Sequence, residues 1–150
     1  MIVNKIEVHN KCTALIDDRI ERLNSLIESA QKASSEDTKS SAGDKYETSR
    51  EMMQAEKDKA SQQIFEALKL KKVLHQINEN EVKNTVELGS LIKTTLGVFY
   101  ISVALGEFLI DDNKYFAISP VSPIGKALLG IKANDSITFN GNVIKVFEIY

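Results

Sequence analysis

Apolar residues recur at every third or fourth position from about Asn4 to Ala33. This spacing is typical of an amphipathic helix that buries one stripe against a partner, as helices do in a coiled coil. The pattern therefore predicts one long helix with a stripe made of Cys12, Ile16, Ile20, Leu23, Ile27 and Ala30, widened by Leu15 and Leu26.

The polar stretch 34–43 contains no large apolar side chain, and its serines and glycine predict a connection. A second helix is expected from Asp44 to about Asn78. Asp44 is a good N-cap, and Glu47 stands where the second residue of a capping box would stand. The helical spacing then continues through Met53, Ala60, Ile64, Ala67, Leu68, Leu70, Leu74 and Ile77.

Two helices that are joined by a short polar loop are expected to lie antiparallel. A helix of about 35 residues, at 1.5 Å per residue, is roughly 50 Å long. Residues 1–80 are therefore predicted to form a projecting coiled-coil hairpin whose tip is the region 34–47.

After Val86 the pattern changes to short apolar runs typical of strands. Strands are expected at 91–94, 98–102, 115–118, 136–139 and 143–149, with a tight turn at Asn140-Gly141. A short helix is predicted from Ser122 to Leu129, with Pro123 in its first turn and Gly130 after its end. The fold class is thus α+β, with a small antiparallel sheet domain and one short helix at 86–150.

The charge and the cysteine content narrow the function classes. The chain has 150 residues and a formal net charge of −2, which argues against nucleic-acid binding by bulk electrostatics. Its one cysteine, Cys12, cannot form a disulfide within the chain, and this fits a reducing cytoplasm. No apolar run is long enough to cross a bilayer, and no signal peptide is evident. We therefore expect a soluble cytoplasmic protein.

An independent active site is not expected. His9 and His75 are isolated and lack metal-ligand spacing. Cys12 has no histidine or acid placed to activate it, so packing in the helix is the better interpretation. The sequence also lacks a glycine-rich phosphate loop and a nucleophile-elbow motif.

One segment carries a family resemblance. Residues 118–130 read Ile-Ser-Pro-Val-Ser-Pro-Ile-Gly-Lys-Ala-Leu-Leu-Gly, and residues 86–92, with Gly89-Ser90, precede them. This segment resembles the C-terminal domain of the Gre-type transcript cleavage factors, which are bacterial transcription elongation factors. The matching positions are Ile118, Ser119, Ser122, Pro123, Ile124, Ala127, Leu128, Leu129 and Gly130. Individually, we expect these residues to build the fold, not to perform chemistry.

The resemblance implies an FKBP-like C-terminal domain and a monomeric protein that binds RNA polymerase. It also implies that the hairpin enters the secondary channel, where tip carboxylates help the polymerase hold a second Mg²⁺ and hydrolyse backtracked RNA. The protein would meet the RNA 3′ end only indirectly, and DNA only through the polymerase. Mg²⁺ held by one or two carboxylates suits such two-metal hydrolysis, so few acids are needed.

The tip acids are the candidate catalytic residues: Glu36, Asp37, Asp44 and Glu47, with Asp37 and Asp44 as ligands of the shared Mg²⁺. The family motif at this place is of the type G-D-L-K-E-N-A-E-Y. Matching Asp37 and Lys39 to it leaves Tyr46 offset by two residues, whereas matching Tyr46 puts Lys39 and Ala42 where the acids belong. Helix capping by Asp44 and Glu47, and solvated loop charge at Glu36 and Asp37, are the structural alternatives.

Two groups of residues are candidates for contacts with the polymerase. Near the tip these are Lys39, Lys45, Tyr46 and Arg50. In the sheet domain we expect exposed aromatic residues to dock on the channel rim, among them Phe99, Tyr100, Phe108 and Tyr115.

Three alternatives stay open. The divergent tip favours a Gre-like channel regulator without cleavage activity as the runner-up. A peptidyl-prolyl isomerase is less favoured, because no tryptophan is present to form the floor of a proline pocket. A structural hairpin protein would dimerise through the face formed by Ile16, Ile20, Leu23 and Ile27. In the Gre interpretation the second helix covers that face within one chain.

Overall fold

The computed structural model describes the backbone of residues 4–37 and 43–150, and the side chains of residues 4–33 and 47–150. Two long helices come first, followed by a six-stranded sheet with one short helix. The elements are α1 (Lys5–Asp37), α2 (Gly43–Gln76), β1 (Leu91–Thr94), β2 (Gly97–Ile101), β3 (Gly106–Ile110), β4 (Asn113–Ile118), α3 (Pro123–Leu128), β5 (Ser136–Phe139) and β6 (Asn142–Ile149). The predicted α+β fold class is confirmed.

The chain forms two compact units, one of Met1–Ala14 with Lys72–Tyr150 and one of Leu15–Lys71. The second unit contains residues 15–37 of α1 and residues 43–71 of α2. They run antiparallel, and an ion pair of 2.7 Å joins Lys71 to Asp17 across them. The predicted division into residues 1–80 and 86–150 stays a prediction.

Within the unit of residues 15–71 the predicted stripes are largely inward. Ile16, Ala30, Ala60 and Ala67 are buried, and Ile20, Leu23, Ile27, Ile64 and Leu70 are partly buried. Two stripe members differ, because Leu26 and Leu68 keep 46% and 49% of their surface exposed. Each lies at the margin of its helix stripe, where a two-helix packing leaves a flank open.

The sheet has the strand order β3-β4-β2-β1-β6-β5. All neighbouring strands pair antiparallel except β2 and β4, which pair in parallel with Phe99 opposite Phe116. The predicted antiparallel sheet is thus confirmed for every neighbouring pair except this one. The physical reason is β3, which was not predicted: it returns the chain so that β4 enters the sheet in the direction of β2.

One face of the sheet packs against α3. Val86, Ile92, Phe99, Ile101, Leu128 and Val146 form the buried cluster there. Phe99 and Phe116 stack with ring centroids 5.1 Å apart, which adds to the cluster on this face. Since β2 is also covered on its other face, Val98 to Ile101 are all buried.

Neither long helix contains, among the residues that the structure describes, a stretch apolar enough to cross a membrane.

Candidate functional site

The backbone places the tip acids at the two ends of the hairpin helices. Helix α1 continues to Asp37, so Glu36 and Asp37 lie in its last turn and not in a connecting loop. Helix α2 begins at Gly43, which puts Asp44 in its first turn. Residues 34–37 and 43 thus belong to helices, and the predicted start of the connection at residue 34 is wrong. Four good helix formers in a row, at residues 30–33, extend α1 beyond its last large apolar residue.

Helix dipoles separate the four acids into two pairs. Negative charge is favourable near a helix N-terminus and unfavourable near a C-terminus. Asp44 lies in the favourable first turn, so a stabilising role in α2 accounts for it, but it stands inside the helix and not at the predicted N-cap. Glu47 is the fifth residue of α2, just beyond the first turn. Glu36 and Asp37 lie in the unfavourable position, and the last turn of α1 contains no basic residue. Glu36 and Asp37 therefore do not stabilise α1.

Of the candidate residues in and near the tip, Glu47 and Arg50 have described side chains, and both are exposed. The side chains of Glu36, Asp37, Asp44, Lys45 and Tyr46, and all of Lys39, lie outside the described residues. Across residues 4–33 and 47–150, no group of three metal-ligating side chains comes together. The proposed Mg²⁺ ligands Asp37 and Asp44 are therefore not tested.

The 119–130 segment is held by a chain of local hydrogen bonds. The Ser122 hydroxyl donates to the Ser119 carbonyl at 2.6 Å and accepts the Gly125 N–H at 3.1 Å. Ser122 is thereby the N-cap of α3, and Pro123 occupies the first turn, as predicted. Gly130 follows the helix with φ +81° and donates its N–H to Val86. These contacts account for the motif as a fold element.

The fold requires glycine at position 125, and this requirement was not predicted from the sequence. A Cβ at this position would lie 2.1 Å from the Ser119 carbonyl oxygen. No side chain fits at that distance, so the tight approach of α3 to the preceding turn needs glycine. The signal was available: a glycine stands three residues after the capping serine.

A buried polar cluster lies where α1 meets β2. The His9 ring contacts the Tyr100 hydroxyl through Nδ1 at 2.6 Å, and their rings meet edge to face. Burial lowers the pKa of His9, and the positive charges of His75 and Lys5 act in the same direction, whereas Glu79 opposes them. Burial also raises the pKa of the Cys12 thiol, to about 12. A neutral histidine and a protonated thiol suit packing better than catalysis.

Lys5 forms a second anchor in the same unit. Its buried ammonium donates to the backbone carbonyls of Glu81 and Tyr150. Burial lowers the pKa of Lys5, and the charge of Lys83 adds to this. The amine ties the first turn of α1 to the segment after α2 and to the last residue, which is a structural role.

The sheet aromatics that were expected to be exposed are buried. Phe99 and Tyr115 expose 6% and 4% of their surface, and Tyr100 and Phe108 are buried as well. The expected exposure is therefore wrong. The physical reason is that both faces of β2 are covered, and that Phe108 and Tyr115 stack on each other at 5.8 Å. Burial alone does not test the suggested role of these residues in binding a partner. Such binding would require a rearrangement of the side chains that cover them.

The aromatic side chain that the sheet does present is Phe147. It is 40% exposed, and the Lys145 ammonium lies 5.7 Å from its ring centre. Val143, 67% exposed, stands near Lys145 on the same strand. Strand periodicity alone did not distinguish this outer face from the covered ones.

The comparisons with known proteins give little support to any family assignment. No family model matches the sequence. No curated protein matches it either. A solved structure, described as that of the transcription factor Gfh1, is similar over 92% of this chain and 92% of that chain, with 20% identity and a TM-score of 0.35. A likeness of this degree carries no conclusion about function.

Proposed function

We propose that this protein is a Gre-like transcription elongation factor. It binds RNA polymerase, inserts its hairpin into the secondary channel and stimulates the polymerase active site to hydrolyse backtracked RNA. The proposal starts from the resemblance of residues 118–130 to the Gre C-terminal segment. We also propose that the protein has no active site of its own and works in the cytoplasm as an accessory of the polymerase.

The observation that carries the proposal is the pair of long helices with acids next to the connection between them. Helix α1 has 33 residues and α2 has 34, so each is about 50 Å long at 1.5 Å per residue. Glu36 and Asp37 end α1, and Asp44 follows on α2 after a short connection. Two long helices with acidic residues next to their connection suit the delivery of Mg²⁺ ligands into a deep site.

Glu36 and Asp37 are the preferred catalytic acids in this proposal. They stand where charge opposes the dipole of α1, so stability does not account for them. Asp37 would bind the shared Mg²⁺ and Glu36 would assist. Asp44 and Glu47 would chiefly stabilise the start of α2, with Asp44 as the second metal ligand. Lys39, Lys45, Tyr46 and Arg50 would contact the polymerase or the RNA around them.

The sheet unit would supply docking contacts through Phe147 in place of the buried aromatics. Its ring is exposed and held beside Lys145, which is a suitable anchor on a flat protein surface. A docking role for Phe99 or Tyr115 is not part of the proposal, because both are buried in the sheet.

The decisive experiment measures RNA cleavage in stalled, backtracked elongation complexes of the cognate polymerase. Wild type is compared with Asp37→Asn, Glu36→Gln and Asp44→Asn, and with Asp58→Asn as a matched control. Asp58 is an exposed acid of α2 outside the tip that accepts a hydrogen bond from Gln54, which asparagine can also accept. Faster cleavage that Asp37→Asn abolishes and Asp58→Asn keeps would support the proposal.

The other outcomes separate the alternatives. Loss of activity in Asp44→Asn alone would move the metal site to α2. Tight polymerase binding that slows transcription without cleavage would favour a channel regulator. Absence of binding to the polymerase would refute the proposal and leave residues 118–130 as a shared fold element.

A further inference from the structure

One ion pair joins the two long helices at a defined height. The Lys71 ammonium on α2 lies 2.7 Å from the Asp17 carboxylate on α1. Of the ion pairs formed by residues 4–33 and 47–150, it alone connects α1 to α2. The pair therefore marks which turn of α1 stands beside which turn of α2, that is, the register of the hairpin.

The apolar stripes do not fix this register by themselves. On α2, buried and partly buried stripe residues recur every three or four positions, at Ala60, Ile64, Ala67 and Leu70. Such a stripe presents a similar surface after a slide of one helical turn, which is about 5.4 Å. In paired helices, charges beside the apolar seam select among registers. Asp17 and Lys71 are placed for this, since each directly follows a stripe residue of its own helix.

The register also sets the relative positions of the acids beside the connection. Both helices are continuous from the ion pair to the connection, because α1 ends at Asp37 and α2 begins at Gly43. A slide of one turn would therefore displace Asp37 against Asp44 by about 5.4 Å. A Mg²⁺ site does not tolerate such a displacement, because the ion demands near-ideal octahedral geometry with ligands at roughly 2.0–2.1 Å.

We propose that Asp17 and Lys71 are positioning residues, whose ion pair holds the register of the hairpin and thereby the acids at the ends of α1 and α2. The consequence for catalysis rests on the proposed function, whereas the register does not. Asp17 stands twenty residues before Asp37, about 30 Å away along α1, so it acts at a distance from the acids. A partly exposed ion pair contributes little to stability, so its effect is to select between registers of similar stability.

Spin labels on the two helices measure the register directly. Glu21 of α1 and Glu51 of α2 are exposed, and both are replaced by cysteine and labelled under native conditions, in which Cys12 is buried. Along the hairpin they lie four and twenty residues beyond the ion pair, so their heights differ by about 24 Å. A slide of one turn changes the separation of the labels by about 5 Å, which pulsed electron paramagnetic resonance resolves.

Charge reversal of either partner should disturb the register. Wild type should give one label separation. Lys71→Glu places two carboxylates opposite each other and should move about half of the molecules or more to a second separation. Asp17→Lys should do the same, because two ammonium groups then oppose each other. The double variant Asp17→Lys/Lys71→Glu restores an ion pair with reversed polarity and should return the wild-type separation.

Arg22→Glu is the matched control. It makes the same change of charge as Lys71→Glu, but the partner of Arg22 is Asp18 of the same helix, at 3.3 Å. The control should therefore leave the label separation unchanged. Helical circular dichroism checks that each variant is folded. Where a reversal lowers it, Lys71→Gln is measured instead, and it should still give the second separation in a smaller fraction of the molecules.

RNA cleavage in backtracked complexes tests the consequence for catalysis. At saturating factor, Lys71→Glu should lower the cleavage rate about twofold or more, in proportion to the displaced fraction. Displaced molecules contribute almost nothing, because a misplacement of about 1 Å can cost roughly a hundredfold in rate. The concentration for half-maximal cleavage should stay near that of wild type. The double variant should recover the rate, and Arg22→Glu should keep it.

The outcomes distinguish this inference from the proposed function. An unchanged separation in both Lys71→Glu and Asp17→Lys would overturn the inference, as would a double variant without recovery. A displaced register with a normal cleavage rate would overturn the positioning role. If wild type does not stimulate cleavage at all, the proposed function fails, and the label separations still decide whether the ion pair holds the register.

Discussion

The His9 ring and the Tyr100 hydroxyl form a buried hydrogen bond of 2.6 Å that joins the first helix to the central sheet. The two residues are 91 positions apart in the chain. Tyr100 is fully buried and His9 exposes 7% of its surface, so water does not readily replace either partner. The contact is therefore a sensitive point of the fold in the unit that contains the sheet.

Tyr100→Phe should destabilise the protein by about 1–3 kcal/mol, because it leaves the buried His9 nitrogen without its partner while keeping the ring volume. The free energy of unfolding from urea denaturation measures the change. Tyr150→Phe is the matched control, since the Tyr150 hydroxyl donates to the exposed Glu148 carboxylate. We expect the control to change stability by less than about 0.5 kcal/mol. Equal effects of the two variants would contradict the prediction.

The free energy of unfolding should decrease as the pH is lowered, because of His9. Burial lowers the pKa of His9 in the folded state, assisted by His75 and Lys5 and opposed by Glu79. The unfolded state therefore binds the proton more readily, and stability rises with pH in this window. The contribution is fully present above the unfolded value of about 6.5 and is lost as the pH falls through it towards the lowered folded value.

Urea denaturation of wild type and His9→Gln at a series of pH values tests this effect. Carboxylates contribute to both proteins alike, so the difference between the two curves isolates His9. The wild type should lose more stability than His9→Gln on acidification below the unfolded pKa of histidine, roughly 6.5. Parallel curves in that range would exclude His9 as the titrating group.

The folded protein should protect its cysteine. Cys12 is fully buried, and burial raises the pKa of its thiol to about 12. Because the thiolate is the reactive species, native protein should react with a thiol reagent only as fast as it opens. Labelling with a chromogenic disulfide should be slow in buffer and immediate in denaturant. Rapid stoichiometric labelling of native protein would show that the helix around Cys12 opens readily.

Periodicity predicted the helices and five of the six strands, because each buries a continuous apolar stripe or run. It missed β3, whose turn to β4 consists of Asp111 and Asp112, both with left-handed φ of 48° and 63°. That conformation usually calls for Asn-Gly or Asp-Gly, so the sequence lacked the usual hairpin signal. Without β3, the parallel pairing of β2 with β4 could not be foreseen.

The candidate site was less accessible to prediction than the fold. Alternation along a strand shows which residues share a face of the sheet. It does not show whether a helix covers that face. Phe99 and Tyr115 are buried for that reason, while Phe147 on β6 remains exposed. Acids at the tip are visible in the sequence, whereas their position relative to the helix dipoles depends on where α1 ends, at Asp37.

Gly125→Ala should be one of the most damaging single-methyl changes in the sheet unit. Its Cβ would lie 2.1 Å from the Ser119 carbonyl oxygen and 2.8 Å from the Ser122 hydroxyl. Both are held by the hydrogen bonds that start α3, so relief of the clash must break the cap or move the helix. Overpacking of this kind typically destabilises by about 1–3 kcal/mol, and loss of an N-cap adds roughly 0.5–2 kcal/mol.

Thermal and urea unfolding of Gly125→Ala, Ser122→Ala and Lys126→Ala separate the two contributions. Lys126 is the exposed neighbour of Gly125 in α3 and should tolerate alanine within about 0.5 kcal/mol. Ser122→Ala removes the cap alone, so it should cost less than Gly125→Ala. The double variant should be less destabilised than the sum of the single changes, because the missing hydroxyl relieves one of the two contacts. If Gly125→Ala were as stable as Lys126→Ala, the tight approach of α3 to Ser119 would be wrong.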